Sequence, residues 1–86
     1  MKKRFTFFYF MKTEPDKIKS IIPLHIEYWR KKNLQRCTGG PFADRSGGLI
    51  TFEVEHIEEA TKVAMNDPFV LEDLLENKWI KEWVVG

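Results

Sequence analysis

The chain has 86 residues, 43% hydrophobic and 31% charged, a composition that fits one folded domain and excludes both disorder and a two-domain layout. Its net charge of +1 supplies no overall field to recruit nucleic acid or an anionic membrane, and no run approaches the roughly 20 apolar residues that span a bilayer. The single cysteine, Cys37, excludes an internal disulfide and any multi-cysteine metal site.

Met1-Lys2-Lys3-Arg4 followed by Phe5 to Met11 has the outline of a secretory leader. Thr6 interrupts the apolar run, however, and Glu14 and Asp16 follow without a small-residue cleavage site. The expected compartment is the cytosol. Phe5 to Met11 (FTFFYFM) reads instead as a buried first strand. Thr13-Glu14-Pro15-Asp16 then announces a helix: Thr13 can cap, Pro15 suits the first turn, and Asp16 complements the positive end of the dipole. Apolar residues recur at Ile18, Ile21, Ile22, Tyr28 and Trp29, and His25 falls inside that stripe, facing the sheet. Lys31, Lys32 and Arg36 gather at the helix end. Pro23 should kink this helix or open a second segment capped by Ser20.

A short strand around Gln35 to Thr38 leads to Gly39-Gly40-Pro41, read as a turn, and Asp44 to Gly48 reads as a hairpin tip. Cys37 is expected to be a buried strand residue. Leu49 to Glu55 (LITFEVE) is strand-like, and Ile57 to Asn66 has helical spacing at Ile57, Ala60, Val63 and Ala64. Asp67-Pro68 breaks that helix, Phe69 to Leu75 adds a short helical turn, and Trp79 to Val85 closes the chain as a strand. The order βαββαβ over residues 1–86 describes an α+β, ferredoxin-like single domain: an antiparallel sheet with two helices on one face. The uncovered face would carry strand aromatics, and a patch of that kind usually marks an interface.

His25 and Asp67 are the candidate catalytic pair. Histidine titrates near neutrality, and Asp67 lies one turn beyond Ala64 on the apolar side of its helix, so helices packed side by side would bring the two together. A carboxylate against the ring would fix its tautomer and raise its basicity, giving a general acid or base. Each residue also has a simpler reading. A lone histidine on an apolar stripe is commonly a core residue, and Asp followed by Pro is a helix-cap signature. His56 reads as an exposed junction residue, and with no cysteine or second histidine nearby no zinc site is expected. Gly39-Gly40-Pro41 lacks the spacing of a phosphate loop. The same topology carries RNA-recognition domains, but Leu49 to Glu55 has two acids and no Lys/Arg-Gly-Phe pattern, so no nucleic-acid partner is expected.

His25 ahead of an aromatic helix segment, Gly40-Pro41, the Gly-rich hairpin, Glu58-Glu59-Ala60, Asn66-Asp67-Pro68-Phe69 and Ile80-Lys81-Glu82-Trp83 together resemble the YCII-related domain family over nearly the whole chain. The resemblance implies a ferredoxin-like fold pairing sheet against sheet as a dimeric α+β barrel. It also implies an active-site His and Asp, which map onto His25 and Asp67. The wider superfamily includes muconolactone isomerases and cofactor-free monooxygenases acting on small cyclic or aromatic substrates. One departure is Ile22-Pro23-Leu24, where the family often has a basic residue shortly before the His; Arg45 in the hairpin is a possible substitute. The expected function is cofactor-free proton transfer, as in an isomerase or an eliminating lyase, on a small cyclic or aromatic substrate. The alternative is a non-catalytic dimeric domain that binds a small ligand or serves as an accessory subunit.

Overall fold

The computed structural model describes residues 1–86. In chain order the elements are β1 (Lys3–Met11), α1 (Pro15–Lys32), β2 (Gln35–Pro41), β3 (Gly47–Val54), α2 (Ile57–Met65), α3 (Pro68–Leu71) and β4 (Leu75–Glu82). The strands form one antiparallel sheet in the order β2-β3-β1-β4. This is the α+β, ferredoxin-like βαββαβ arrangement, with α3 as an added turn. No helix is long and apolar enough to cross a membrane.

The aromatics of β1 alternate across the sheet, as side chains of a strand must. Phe5, Phe7 and Tyr9 point to the helical side and are at most 4% exposed. There they meet Phe52 and Ile50 of β3, Trp29 of α1, Ala60 and Ala64 of α2, and Phe69 of α3. Alanines on α2 let that helix approach the sheet closely. Each fully buried phenylalanine stabilises the fold by roughly 1.5–3 kcal/mol relative to an exposed one. On the opposite side Phe8 stacks on Trp79 with ring centroids 5.1 Å apart, and Phe10 packs against both Trp79 and Phe42 at 6.1 and 5.7 Å. No element of the chain covers this second face.

Helix α1 differs from expectation at both of its marked residues. Its N-cap is Glu14 rather than Thr13, and no side chain caps it; Pro15 and Asp16 do occupy the first turn. Pro23 neither ends the helix nor starts another, and α1 runs unbroken from Pro15 to Lys32. Pro23 and Lys19 are both exposed, so water can serve the Lys19 carbonyl that loses its N–H partner, and the disruption stays local. The Ser20 hydroxyl donates back to the Lys17 carbonyl at 2.7 Å instead of capping anything. The helix closes on Asn33 in the left-handed conformation (φ 50°), its N–H bonded to the Arg30 carbonyl.

The glycine pairs are strand residues rather than turns. Gly39, Gly40 and Pro41 pair with Ile50, Leu49 and Gly48, while Gly47 and Gly48 lie opposite Phe10 and Tyr9. None has a positive φ. At Gly47 and Gly39 there is no room for a side chain: a Cβ on Gly47 would fall 1.8 Å from the Tyr9 carbonyl oxygen, and one on Gly39 2.7 Å from Ile50 Cγ1, whereas one on Gly40 would meet open space. The hairpin tip therefore lies two residues earlier than expected, at residues 42–46, and turns on Arg45 (φ 65°), with Asp44 Oδ1 accepting from the Ser46 N–H and hydroxyl at 3.0 and 2.6 Å. Cys37 is exposed rather than buried, because it lies on the edge strand β2, none of whose residues is shielded. The last strand begins at Leu75 and ends at Glu82, earlier at each end than the spacing of the tryptophans suggests.

Candidate functional site

His25 and Asp67 are 42 residues apart in sequence and in contact in the fold. Helix α1 delivers His25 one turn before Trp29, and the break between α2 and α3 delivers Asp67. His25 Nδ1 lies 2.9 Å from Asp67 Oδ1 and 2.8 Å from Oδ2. The Trp29 Nε1–H donates to Oδ2 at 2.8 Å, and the Phe69 backbone N–H donates to Oδ1 at 2.8 Å. The Asp67 side chain is wholly buried, whereas that of His25 keeps 13% of its surface exposed. A buried carboxylate is tolerable only when its oxygens are served by donors, and here both are. The two readings of Asp67 are thus compatible: it caps α3 through the Phe69 N–H and it also engages the histidine.

This arrangement dictates the state of the ring. The carboxylate offers only acceptors, so Nδ1 must carry a hydrogen, and Nε2 is left without a partner in the chain. The ring is held in place from its faces too. It stacks on Phe69 with centroids 4.1 Å apart and planes 15° from parallel, and it meets Tyr9 edge-on at 6.2 Å. Tyr28 ties α1 to α2 by donating its hydroxyl to the Val63 carbonyl at 2.7 Å, which fixes the helix that carries His25.

His25 lines a cleft of about 1170 Å³ between α1 and the β2–β3 side of the sheet. Its walls are chiefly apolar, with Ile18, Ile22 and Ile26 from α1 and Ile50 from the sheet, and Tyr9 stands at the floor. Arg45 from the hairpin tip and Lys19 from α1 line it as well. Cys37 also borders the cleft, and partial desolvation there pushes its thiol above the ordinary value of 9.0. Desolvation, with the Asp67 charge adding to it, pushes the Tyr9 phenol well upward, so Tyr9 stays protonated throughout the physiological range. Elsewhere, Glu55, His56 and Glu59 bring potential ligand atoms within 4.8 Å of one another, but all three are exposed and none lines the cleft.

Trp29 is the member of the site that the apolar pattern concealed. It counts as a core residue by spacing, yet a buried indole needs an acceptor for its N–H, and its place one turn after His25 on the same helix face was the available signal. Tyr9 was concealed in the same way among the aromatics of β1.

Fold and site together define a ferredoxin-like α+β domain with a buried aspartate set against a histidine at the edge of an apolar cleft. The chain belongs to the YCII-related domain family, whose model matches residues 5–84. Among solved structures it is similar to 5-chloro-2-hydroxyhydroquinone dehydrochlorinase from Burkholderia phenoliruptrix AC1100, determined in complex with 2,5-dihydroxybenzoquinone. That similarity has a TM-score of 0.80 at 20% identity and covers 96% of this chain and 95% of the other. It is also similar to a dimeric ferredoxin-like protein of unknown function from Thermobifida fusca YX, with a TM-score of 0.59 at 11% identity over 99% of this chain and 92% of that one. No curated protein sequence matches significantly. At these identities the structural likenesses establish the fold.

Proposed function

We infer that the protein is a small enzyme that uses His25 and Asp67 to move a proton on a small cyclic or aromatic substrate held in the α1–sheet cleft. The observation that carries this reading is the fixed orientation of His25, with Nδ1 against a fully buried Asp67 and the ring bordering the cleft. In the proposed step Nε2 takes a proton from the substrate, and the imidazolium that forms is stabilised by the adjacent carboxylate. The proton then returns to a different atom, completing an isomerisation, or the electron pair left behind expels a leaving group as its anion while the imidazolium passes its proton to solvent, completing an elimination. Either course closes its balance of atoms and charge with a proton shuttle alone. A positioned acid–base of this kind contributes on the order of 10²–10⁴-fold in rate. The dehydrochlorinase with the similar fold acts on a chlorinated hydroxyhydroquinone, which lends weight to elimination from a hydroxylated ring.

The protein is further proposed to work as a homodimer paired through its open sheet face, as an α+β barrel. Phe10 and Trp79 lie exposed there with half-buried Phe8 and Phe42 packed against them, and Thr6 Oγ1, on the same face, is the one buried side-chain polar atom without a partner. The single unpaired Cys37 suits a reducing cytosol.

The rival reading, a non-catalytic ligand-binding or accessory domain, draws on one observation: the Phe69 cap and the Trp29 hydrogen bond already give Asp67 a structural purpose. His25→Asn and Asp67→Asn, assayed against lactones and against hydroxylated or chlorinated aromatics, separate the two. The enzyme reading expects turnover of an accepted substrate to fall at least about 100-fold in both variants. Unchanged turnover in both would sink it.

A further inference from the structure

Tyr9 is over nine-tenths buried, at 4% exposure, with its ring held by Phe7, Phe69 and His25 at centroid distances of 5.1, 6.1 and 6.2 Å. Packing of that quality would be served as well by phenylalanine. The hydroxyl is therefore the feature that needs a purpose. It packs against Gly48, where even a single added Cβ would stand 2.6 Å from it, and Tyr9 itself lines the cleft. The other tyrosine, Tyr28, spends its hydroxyl on the Val63 carbonyl. The Tyr9 hydroxyl has no hydrogen-bond partner anywhere in the chain, and it is not a buried orphan as Thr6 Oγ1 is, so the atom keeps some access from outside the packed core. Tyr9 from β1 and His25 from α1 line the same cleft with ring centroids 6.2 Å apart, so one occupant can meet both. Arg45 and Lys19 at the cleft, neither paired with a carboxylate, match an occupant that carries negative charge on oxygen.

We propose that Tyr9 is a second substrate-contacting residue, donating its O–H to an oxygen of the substrate while His25 exchanges a proton at a neighbouring atom. The proposal deepens the proton-transfer reading and rests on it for the role of His25. It narrows the substrate to a flat ring bearing a hydroxyl or carbonyl oxygen next to the reacting atom: a phenol, an enol or an oxygenated lactone. When His25 removes the proton, negative charge moves onto that oxygen, and the Tyr9 O–H stabilises it without giving up its own proton. Burial keeps the phenol protonated, so Tyr9 acts as a donor and not as a second base.

The test compares hydroquinone with p-xylene, two rings of similar shape that differ in bearing hydroxyl or methyl groups, by NMR titration of the wild type and of Tyr9→Phe. The variant retains the ring that the core packs against, and its thermal melt reports whether the fold is kept. The wild type should prefer hydroquinone by about tenfold or more. In Tyr9→Phe that preference should shrink by about five- to tenfold, the usual weight of one hydrogen bond, while p-xylene affinity stays within about twofold. A wild type without the preference, or a variant that keeps it in full, overturns the proposal. His25→Asn in the same titration should retain the preference. Failure of the proton-transfer reading would appear instead as unimpaired turnover in His25→Asn, so the two failures are distinguishable.

Discussion

Replacing Asp67 by Asn changes one atom and sets three hydrogen bonds against each other. In the native protein the two carboxylate oxygens accept from His25 Nδ1–H, Trp29 Nε1–H and Phe69 N–H, all at 2.8–2.9 Å, in a position with no solvent access. An amide has one oxygen. If that oxygen takes the Oδ1 position it keeps the Phe69 cap and turns its NH₂ toward the Trp29 N–H; the opposite orientation serves Trp29 and abandons the cap. One buried donor is orphaned in either case, at about 1–3 kcal/mol, and the surviving bonds lose their charge-assisted strength, about 1 kcal/mol more. Removing a buried charge offsets part of this. The expected net loss is about 2–3 kcal/mol, which in urea moves the midpoint down by about 2 M for a domain of this size. The same change loosens the tautomer: Nδ1, within reach of both side-chain positions, now meets one oxygen and one NH₂ instead of two oxygens, so the Nδ1–H form loses its exclusive hold and the base at the cleft is weakened. Urea denaturation measures the first effect and imidazole ¹⁵N shifts measure the second. A variant that unfolds at the wild-type midpoint with its Nδ1–H tautomer intact would refute the reasoning.

Two further outcomes follow from other parts of the molecule. Because the Tyr9 phenol is pushed up in the folded state, the unfolded chain ionises first; above pH 10 the native state holds one more proton, and stability should fall with rising pH by about 1.4 kcal/mol per unit. Denaturation curves at successive pH values should show that slope lessened in Tyr9→Phe, and an identical slope in the variant contradicts the burial argument. Trp79→Glu places a charge in the aromatic cluster of Phe8, Phe10 and Phe42 on the uncovered sheet face, and light scattering should show a wild-type mass of two chains falling to one; a wild-type monomer at micromolar concentration removes the sheet-to-sheet dimer.

The elements that depend on residue period were legible in the sequence. Alternation of aromatics in β1 and the helical stripe containing His25 reflect which faces must be buried, and burial is what the structure enforces. Helical register put His25 on the sheet-facing stripe, but Asp67 reaches it from the cap of α3 and not from a continued turn of α2. The glycines were not legible, because a glycine that permits a turn and one that permits two strands to close on each other look identical in a sequence. Pro23 opens no second segment, because whether it ends a helix depends on whether the carbonyl it orphans is wet, which is a property of the assembled helix. Asp67 appeared to require a choice between cap and partner, since composition cannot show that a carboxylate has oxygens enough for both. Trp29 and Tyr9 passed as core because burial conceals where a single polar atom on a large ring is directed.

The central claim, that His25 exchanges a proton with a ring substrate in the cleft, is tested most directly by deuterium incorporation. The protein is incubated in D₂O with hydroxylated aromatics and enolisable lactones, and the recovered compounds are analysed by mass spectrometry and NMR. The account predicts catalysed exchange at a carbon adjacent to an oxygenated one in at least one compound, slowed by about 100-fold or more in His25→Asn. Exchange at equal rates in the wild type and His25→Asn, or at the uncatalysed rate throughout, would contradict it.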